Sequence, residues 1–444
     1  MADPLPTLPE LHAALATPAG AGRRRPRWKA RTNLPGSKAA IVWRADAEFL
    51  RGERENARQH KGRPLAGVPY VVKDLFDVAG VPTRAGAAFL KHARGLPVRS
   101  GALVRALAAQ GAILVAKTQL DEFAFGMEGM NPRTGPAVHP RLPGHTVGGS
   151  SAGSAWAVAA GAVPLAFGTD TAGSIRVPAA YCGLYGFRLR HPAFTDDGCV
   201  PLAPSFDAVG WFTRDAADLA YVLRALLPRR HADGVEKPLH GLDASALAGH
   251  GPFPYDAALA KACAKMTARL GAVKNPAALA QLEPAWREAP AAFDVLRGRE
   301  AWAVHRHWFE HFADRYGAIA RERILAGAFA SAGAVVEAAA ARDRLAAALK
   351  QIFAEYDFLV LPVTPVPTPT FAALTPDLRR ALLALNAPAS LEGLPVAAVP
   401  VMLPDGRSGG VQIVFPPDRP VPLEAVLHPL LNEEATPAPG PATG

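Results

Sequence analysis

The feature that most constrains this 444-residue chain is a run of small and hydroxyl-bearing residues in two clusters. Gly148-Gly149-Ser150-Ser151-Ala152-Gly153-Ser154 comes first, and Asp170-Thr171-Ala172-Gly173-Ser174-Ile175-Arg176-Val177-Pro178 follows. Between them, the Ala-rich segment 155–160 reads as a helix and the apolar run 163–167 as a strand. Glycines at this density let backbone approach backbone and adopt left-handed conformations. Pro178 fits the first turn of a helix, where its missing N–H would be unpaired anyway. The stretch therefore predicts two Gly/Ser loops, each running into a helix and linked by a buried strand. Upstream, the strand-like run 67–72 ends on Lys73-Asp74. Two serines, Ser150 and Ser174, and one amine, Lys73, thus fall at the ends of regular elements.

The flanking sequence keeps alternating. Residues 101–107 predict a helix capped by Ser100, and 112–116 a strand. Strand, helix and strand in succession argue for an α/β fold: a large mixed, mostly parallel central sheet covered by helices on both faces. In such folds ligands bind at the carboxyl ends of the strands, where Lys73 and the 169–174 loop both fall. Residues 293–352 look helical, with Trp302, His305, Trp308, Phe309 and Phe312 near helical spacing and read as a packing face. Residues 357–361 return to strand, and 394–401 and 411–415 predict strands joined by a turn at Asp405-Gly406. The expected organisation is a loose N-terminal arm over 1–36, a single domain over 37–432, and a disordered tail over 433–444. Within the domain, 216–352 is a mainly helical peripheral part, and 230–290 carries little signal.

Three blocks taken together, Gly67-Val68-Pro69-Tyr70-Val71-Val72-Lys73-Asp74, the cluster at 148–154 and the segment 168–186, resemble the amidase signature family of serine hydrolases. The family pattern runs close to GxPxxxKD, then GGSSGGS, then GTDxGGSIRxPAxxCGxxG. The likeness is close over 60–215 and weaker at 356–362 and 393–395. It implies the amidase signature fold, no cofactor and no metal. It also implies a catalytic triad in which Ser174 is the nucleophile, Ser150 a relay with a cis peptide bond in the 149–151 run, and Lys73 the base. Neutral Lys73 requires a large downward shift of its pKa, which an apolar setting supplies. Backbone N–H groups of Thr171, Ala172, Gly173 and Ser174, at a helix N-terminus, are candidates for an oxyanion hole. Ser151, Asp170 and Arg176 read as braces of the loop. The segment holding Ala124, Phe125, Gly126 and Met127 resembles the family's substrate-side loop. Ala172 stands where many relatives have glycine, which is harmless only at negative φ.

The formal charge of +9 raises nucleic acid as a partner, but the basic residues are scattered apart from one dense run at 23–31. No nucleic-acid partner is expected. Three cysteines, Cys182, Cys199 and Cys263, show neither metal spacing nor a disulfide framework. With no secretory or membrane-spanning run, the expectation is a cytoplasmic protein, monomer or homodimer, free of membrane.

The resemblance implies hydrolysis of a C–N bond through an acyl-enzyme. Aromatic and Met residues near the site favour a small-molecule apolar or aryl amide, an anilide, or a carbamate such as a urethane. The segment 205–215 is similar to indole-acetamide hydrolase-like amidases. Two alternatives stay open: an allophanate-hydrolase-like enzyme on a small ureido acid, and the glutaminase subunit of a tRNA-dependent amidotransferase. Against the latter, 383–388 (Leu-Ala-Leu-Asn-Ala-Pro) offers no acidic residue to hold an α-amino group.

Overall fold

The computed structural model describes Thr7, Leu8, Glu10 and residues 31–227, 238–250 and 253–434. Its centre is an 11-stranded sheet. The strands in chain order are β1 (Ile41–Arg44), β2 (Pro69–Lys73), β3 (Ile113–Thr118), β6 (Leu165–Asp170), β7 (Tyr185–Arg188), β8 (Ala208–Thr213), β9 (Gly241–Asp243), β10 (Ala272–Val273), β11 (Phe358–Pro362), β12 (Val396–Met402) and β13 (Ser408–Val414). β4 (Met130–Asn131) and β5 (Gly135–Pro136) form a separate small ladder. The spatial order is β1-β3-β2-β6-β8-β7-β12-β13-β11-β9-β10.

The sheet is mixed, as expected, but it is not mostly parallel. Parallel pairing is confined to β3-β2-β6 and to β11-β9-β10. The strands between them are antiparallel, and so is the β1 edge. Two of these antiparallel pairs are joined without a helix, β7 to β8 by a loop and β12 to β13 by the turn at Asp405-Gly406, whereas β6–β8, β7–β12 and β11–β13 pair across intervening helices.

Side chains alternate between the two faces along each strand. Val71, Ala166, Leu359 and Val396 enter one core, with the helices Ala152–Ala159, Arg176–Cys182, Pro276–Phe312, Ala332–Glu355 and Pro376–Leu391. Tyr70, Val72, Phe167, Val360 and Val399 enter the other, with Ala102–Ala109, Ala216–Leu226, Ala257–Arg269 and Leu423–Glu434. Helices therefore cover both faces. Lys73 shares its parity with Val71, so its amine points to the first core, where it meets Ser150 and Thr169.

Several boundaries differ from the sequence reading. The long helix begins at Pro276, before the expected start at 293, because Asn275 caps it by accepting from the N–H groups of Ala277 and Ala278. The helical stretch from there is broken at 313–317 and 327–331. Ser100 does not cap the helix Ala102–Ala109: Gly101 is its N-cap, and the Ser100 hydroxyl accepts from the Ala79 N–H. The helix Leu423–Glu434 extends into the expected tail. Part of the expected loose arm packs on the body, with Leu8 fully buried and its N–H donating to Asp218. Most of the arm, with the basic run up to Ala30, and the tail from 435 lie outside the described residues.

Candidate active site

Lys73 is the last residue of β2, and Thr169 lies near the end of its parallel neighbour β6. Lys73 Nζ is wholly buried and lies 2.8 Å from both Ser150 Oγ and Thr169 Oγ1. Burial pulls the amine down to about 7, although Asp121 and other nearby acidic groups act in the opposite direction. Sequence reasoning does not single out Thr169 as a partner of this lysine; its place at the head of the loop 169–174 is the available signal.

Ser150 follows a cis peptide bond, Gly149–Ser150. The next helix is pinned to the sheet by hydroxyls: Ser151 Oγ donates to Thr169 O (3.0 Å), and Ser154 Oγ to Phe167 O (2.9 Å). Ser151 is thus a brace, but toward the strand and not as a side-chain cap of its own helix. Gly148 packs the first loop on the second helix: a Cβ there would lie 3.0 Å from the Tyr181 ring and 3.2 Å from Pro178 Cα. That close approach brings the Ser150 loop against the helix that follows Ser174.

The Ser174 loop is organised by a buried ion pair. Arg176 donates to both carboxylate oxygens of Asp170 (2.9 and 3.0 Å), and Asp170 also accepts from the N–H groups of Gly173, Ile175 and Arg176. Burial alone would raise the Asp170 carboxyl, but Arg176, Arg188 and these donors outweigh it and hold it well below the usual carboxylate range. Arg176 reaches further, to Asn386 O, Ser390 Oγ and Gln412 Oε1 (2.9, 2.7 and 2.8 Å). Asp170 and Arg176 are therefore braces, as expected. Ser390 and Gln412, far along the chain, carry no sequence signal.

Of the four N–H groups expected to face an oxyanion, that of Gly173 donates to Asp170 Oδ1 at 2.7 Å, so it is already engaged. Those of Thr171, Ala172 and Ser174 have no acceptor among the described residues. Ala172 has negative φ, so alanine is unstrained there, whereas Gly173 sits at φ +120, where only glycine is comfortable. Thr171 is fixed by its hydroxyl, which donates to Asp207 Oδ1 at 2.5 Å, while Asp207 Oδ2 accepts from the Leu202 and Ala203 N–H groups. Burial raises the Asp207 carboxyl to about 6.

The substrate-side loop divides. Phe125 and Gly126 line a cavity, while Ala124 and Met127 are buried away from it. Phe123 and Ala124 adopt left-handed φ of 52 and 61. The Phe123 ring joins His305, Trp308 and Tyr316 in an aromatic cluster with Phe89 and Phe312 nearby, so the aromatic helix face packs, as expected. Among the described residues no group of three His, Cys, Asp or Glu side chains is arranged to hold a metal ion.

The chain is similar to known proteins along most of its length. The chain is 34% identical over 399 residues to a glutamyl-tRNA(Gln) amidotransferase subunit of Thermus thermophilus, covering 80% of this chain and 82% of that protein. It is 42% identical to Amidase 1 of Oryza sativa over 165 residues, only 38% of that relative's length. A solved amidase crystal structure superposes with a TM-score of 0.78 at 30% identity, covering 96% of each chain. Residues 39–419 match the Amidase family model. The chain belongs to the amidase signature family, hydrolases acting on carbon–nitrogen bonds.

Proposed function

We propose that this chain is an amidase that cleaves an apolar or aryl amide, an anilide, or a carbamate through an acyl-enzyme on Ser174. The carrying observation is the buried Lys73 amine, held between two hydroxyls and pulled down to about 7, so that near neutral pH much of it is an uncharged base. In this reading Thr169 Oγ accepts one Nζ–H, leaving the lone pair for the Ser150 proton. Ser150 in turn takes the proton of Ser174 as Oγ attacks the carbonyl carbon. The N–H groups of Thr171, Ala172 and Ser174 receive the developing oxyanion. Collapse breaks the C–N bond, and the leaving nitrogen takes the proton back through Ser150. Water then adds to the Ser174 ester by the same relay, releasing acid and free serine. With a carbamate, loss of the amine leaves a carbonate ester on Ser174, and the carbonic acid monoester released by water loses carbon dioxide to give the alcohol.

A second reading has a specific support: the amidotransferase relative is one subunit of an enzyme, matched over four-fifths of both chains. In that case the chain would hydrolyse glutamine only with partner chains. One experiment separates the readings. The protein, purified alone, is given primary amides, an anilide, an aryl carbamate, allophanate and glutamine, with Ser174→Ala as control. Turnover of the anilide or carbamate by the native chain only supports the first reading. Glutamine hydrolysis alone, or no turnover without partners, supports the second. Full activity of Ser174→Ala removes both.

A further inference from the structure

Asp121 and Glu122 stand at the floor of a cavity of about 270 Å³ that does not include the triad. Its rim is apolar and open, with Met130 and Ile319 46% and 59% exposed, while Asp121 and Glu122 are 3% and 5% exposed. Each floor carboxyl uses one oxygen. Asp121 Oδ2 accepts from the Glu128 and Gly129 N–H groups, and Glu122 Oε2 from the Gly317 N–H (2.7 Å). The other oxygens, Asp121 Oδ1 and Glu122 Oε1, are buried without a hydrogen-bond partner among the described residues.

No side chain nearby supplies the missing donor. Arg323 and Arg379 turn to Glu128 (2.8 and 3.6 Å). Arg133 acts on Glu122 only at a distance and donates to Arg315 O. Lys73 is held by its two hydroxyls. Buried carboxyl oxygens left without a donor are costly, and their presence together at the end of an apolar funnel calls for a ligand that carries several N–H donors. We propose that this cavity binds a primary ammonium group carried on a short apolar body, the cation between Asp121 and Glu122 and the body against Phe125, Met130, Pro132 and Ile319. In keeping with a missing cation, burial pushes both carboxyls up to about 7. The floor adjoins the catalytic region, because the Asp121 N–H donates to Ser150 O at 3.2 Å. The proposal stands on the cavity alone and does not depend on which substrate the triad takes.

The test is calorimetric titration of the full chain with n-hexylammonium, hexan-1-ol and hexanoate, repeated on two variants. Glu122→Gln keeps an oxygen for the Gly317 N–H but replaces the free acceptor with a donor. Ile319→Arg, at an exposed position, adds a cation at the mouth without disturbing a core. The native chain is expected to bind hexylammonium at least about tenfold more tightly than hexanol and to reject hexanoate. Glu122→Gln should weaken hexylammonium by about tenfold or more and leave hexanol within about twofold, and Ile319→Arg, which also removes an apolar contact, should weaken hexylammonium by about tenfold more than it weakens hexanol. Hexanol binding as tightly as hexylammonium overturns the proposal, as does unchanged hexylammonium binding in both variants. Turnover of the amide panel is read separately, so failure here is distinguishable from failure of the hydrolase reading.

Discussion

Lys73 Nζ and Thr169 Oγ1 lie 2.8 Å apart at the adjoining ends of two parallel strands, so the sheet itself aims the amine at Ser150. The amine thus sits buried at the end of a central strand, and if it is the base its protonation should govern the rate. The value of kcat/KM should rise through a limb near pH 7 as Lys73 loses its proton. Asp121 opposes the downward shift, so Asp121→Asn should move that limb to lower pH. A pH–rate profile with a neutral anilide checks both; a limb that moves upward contradicts the assignment.

Keeping this amine buried is costly to the fold. In the unfolded chain Lys73 titrates near the ordinary lysine value of 10.5, in the folded chain near 7, a difference of about 5 kcal/mol at pH 7 and below. Because the folded pKa is the lower, this cost is full below pH 7 and disappears as pH rises toward 10.5. Lys73→Met should therefore be inactive but more stable at pH 7, by roughly 1–3 kcal/mol once the two lost hydrogen bonds are counted. Calorimetric Tm values at pH 6.5, 8.5 and 10 should show the gain shrinking with pH.

Arg176 and Asp170 form a buried pair with no exposed atoms. Arg176→Met leaves a carboxylate buried with only Arg188 nearby, at 3.6 Å, and should cost about 3–5 kcal/mol. Denaturant midpoints measure this. Activity should fall in parallel, since the same carboxylate holds the N–H groups on either side of Ser174.

Gly173 at φ +120 leaves no comfortable place for a side chain, and a Cβ there would lie 3.1 Å from Asn386 Cβ. Gly173→Ala should destabilise by about 1–3 kcal/mol and depress kcat more than KM. Asn386→Gly, added to it, relieves the contact but not the φ and removes the Asn386 hydrogen bonds to Val363 O and Leu382 O, so stability should not recover. Complete recovery would show that contact, and not conformation, demands glycine.

Labelling with a fluorophosphonate followed by peptide mass mapping should place the adduct on Ser174 and nowhere else. Ser150→Ala should slow labelling by at least about a hundredfold, since nucleophile activation runs through it. Rapid labelling of Ser150 in a Ser174→Ala chain would contradict the assigned roles.

Much of this site is legible in the sequence because its chemistry is local. Gly148–Ser154 and Asp170–Pro178 are short loops set by glycine, hydroxyl and proline content, and Lys73 ends a clear apolar strand. What stays hidden is long-range. Thr169 pairs with Lys73 only through strand register, and Ser390 and Gln412 meet Arg176 across hundreds of residues. The N-terminal alternation of strand and helix points to parallel pairing, and there it holds. The antiparallel middle arises from β7, β8, β12 and β13, whose partners are chosen by tertiary packing and not by spacing. The start of the long helix at Pro276 escapes a sequence reading because prolines and alanines blur its period, and its Asn275 cap looks like a turn.

The reach of Arg176 to Asn386, Ser390 and Gln412 has a consequence for biosynthesis. All three residues of the triad leave the ribosome before residue 180, yet the partners that hold the Ser174 loop emerge only near the end of the chain. A nascent or truncated polypeptide ending before 386 carries Ser174 and Lys73 but lacks these three C-terminal acceptors, so that Arg176 is left with Asp170 as its partner. The loop that carries Ser174 should therefore stay incompletely braced until synthesis is nearly complete, and shortened products should be readily proteolysed.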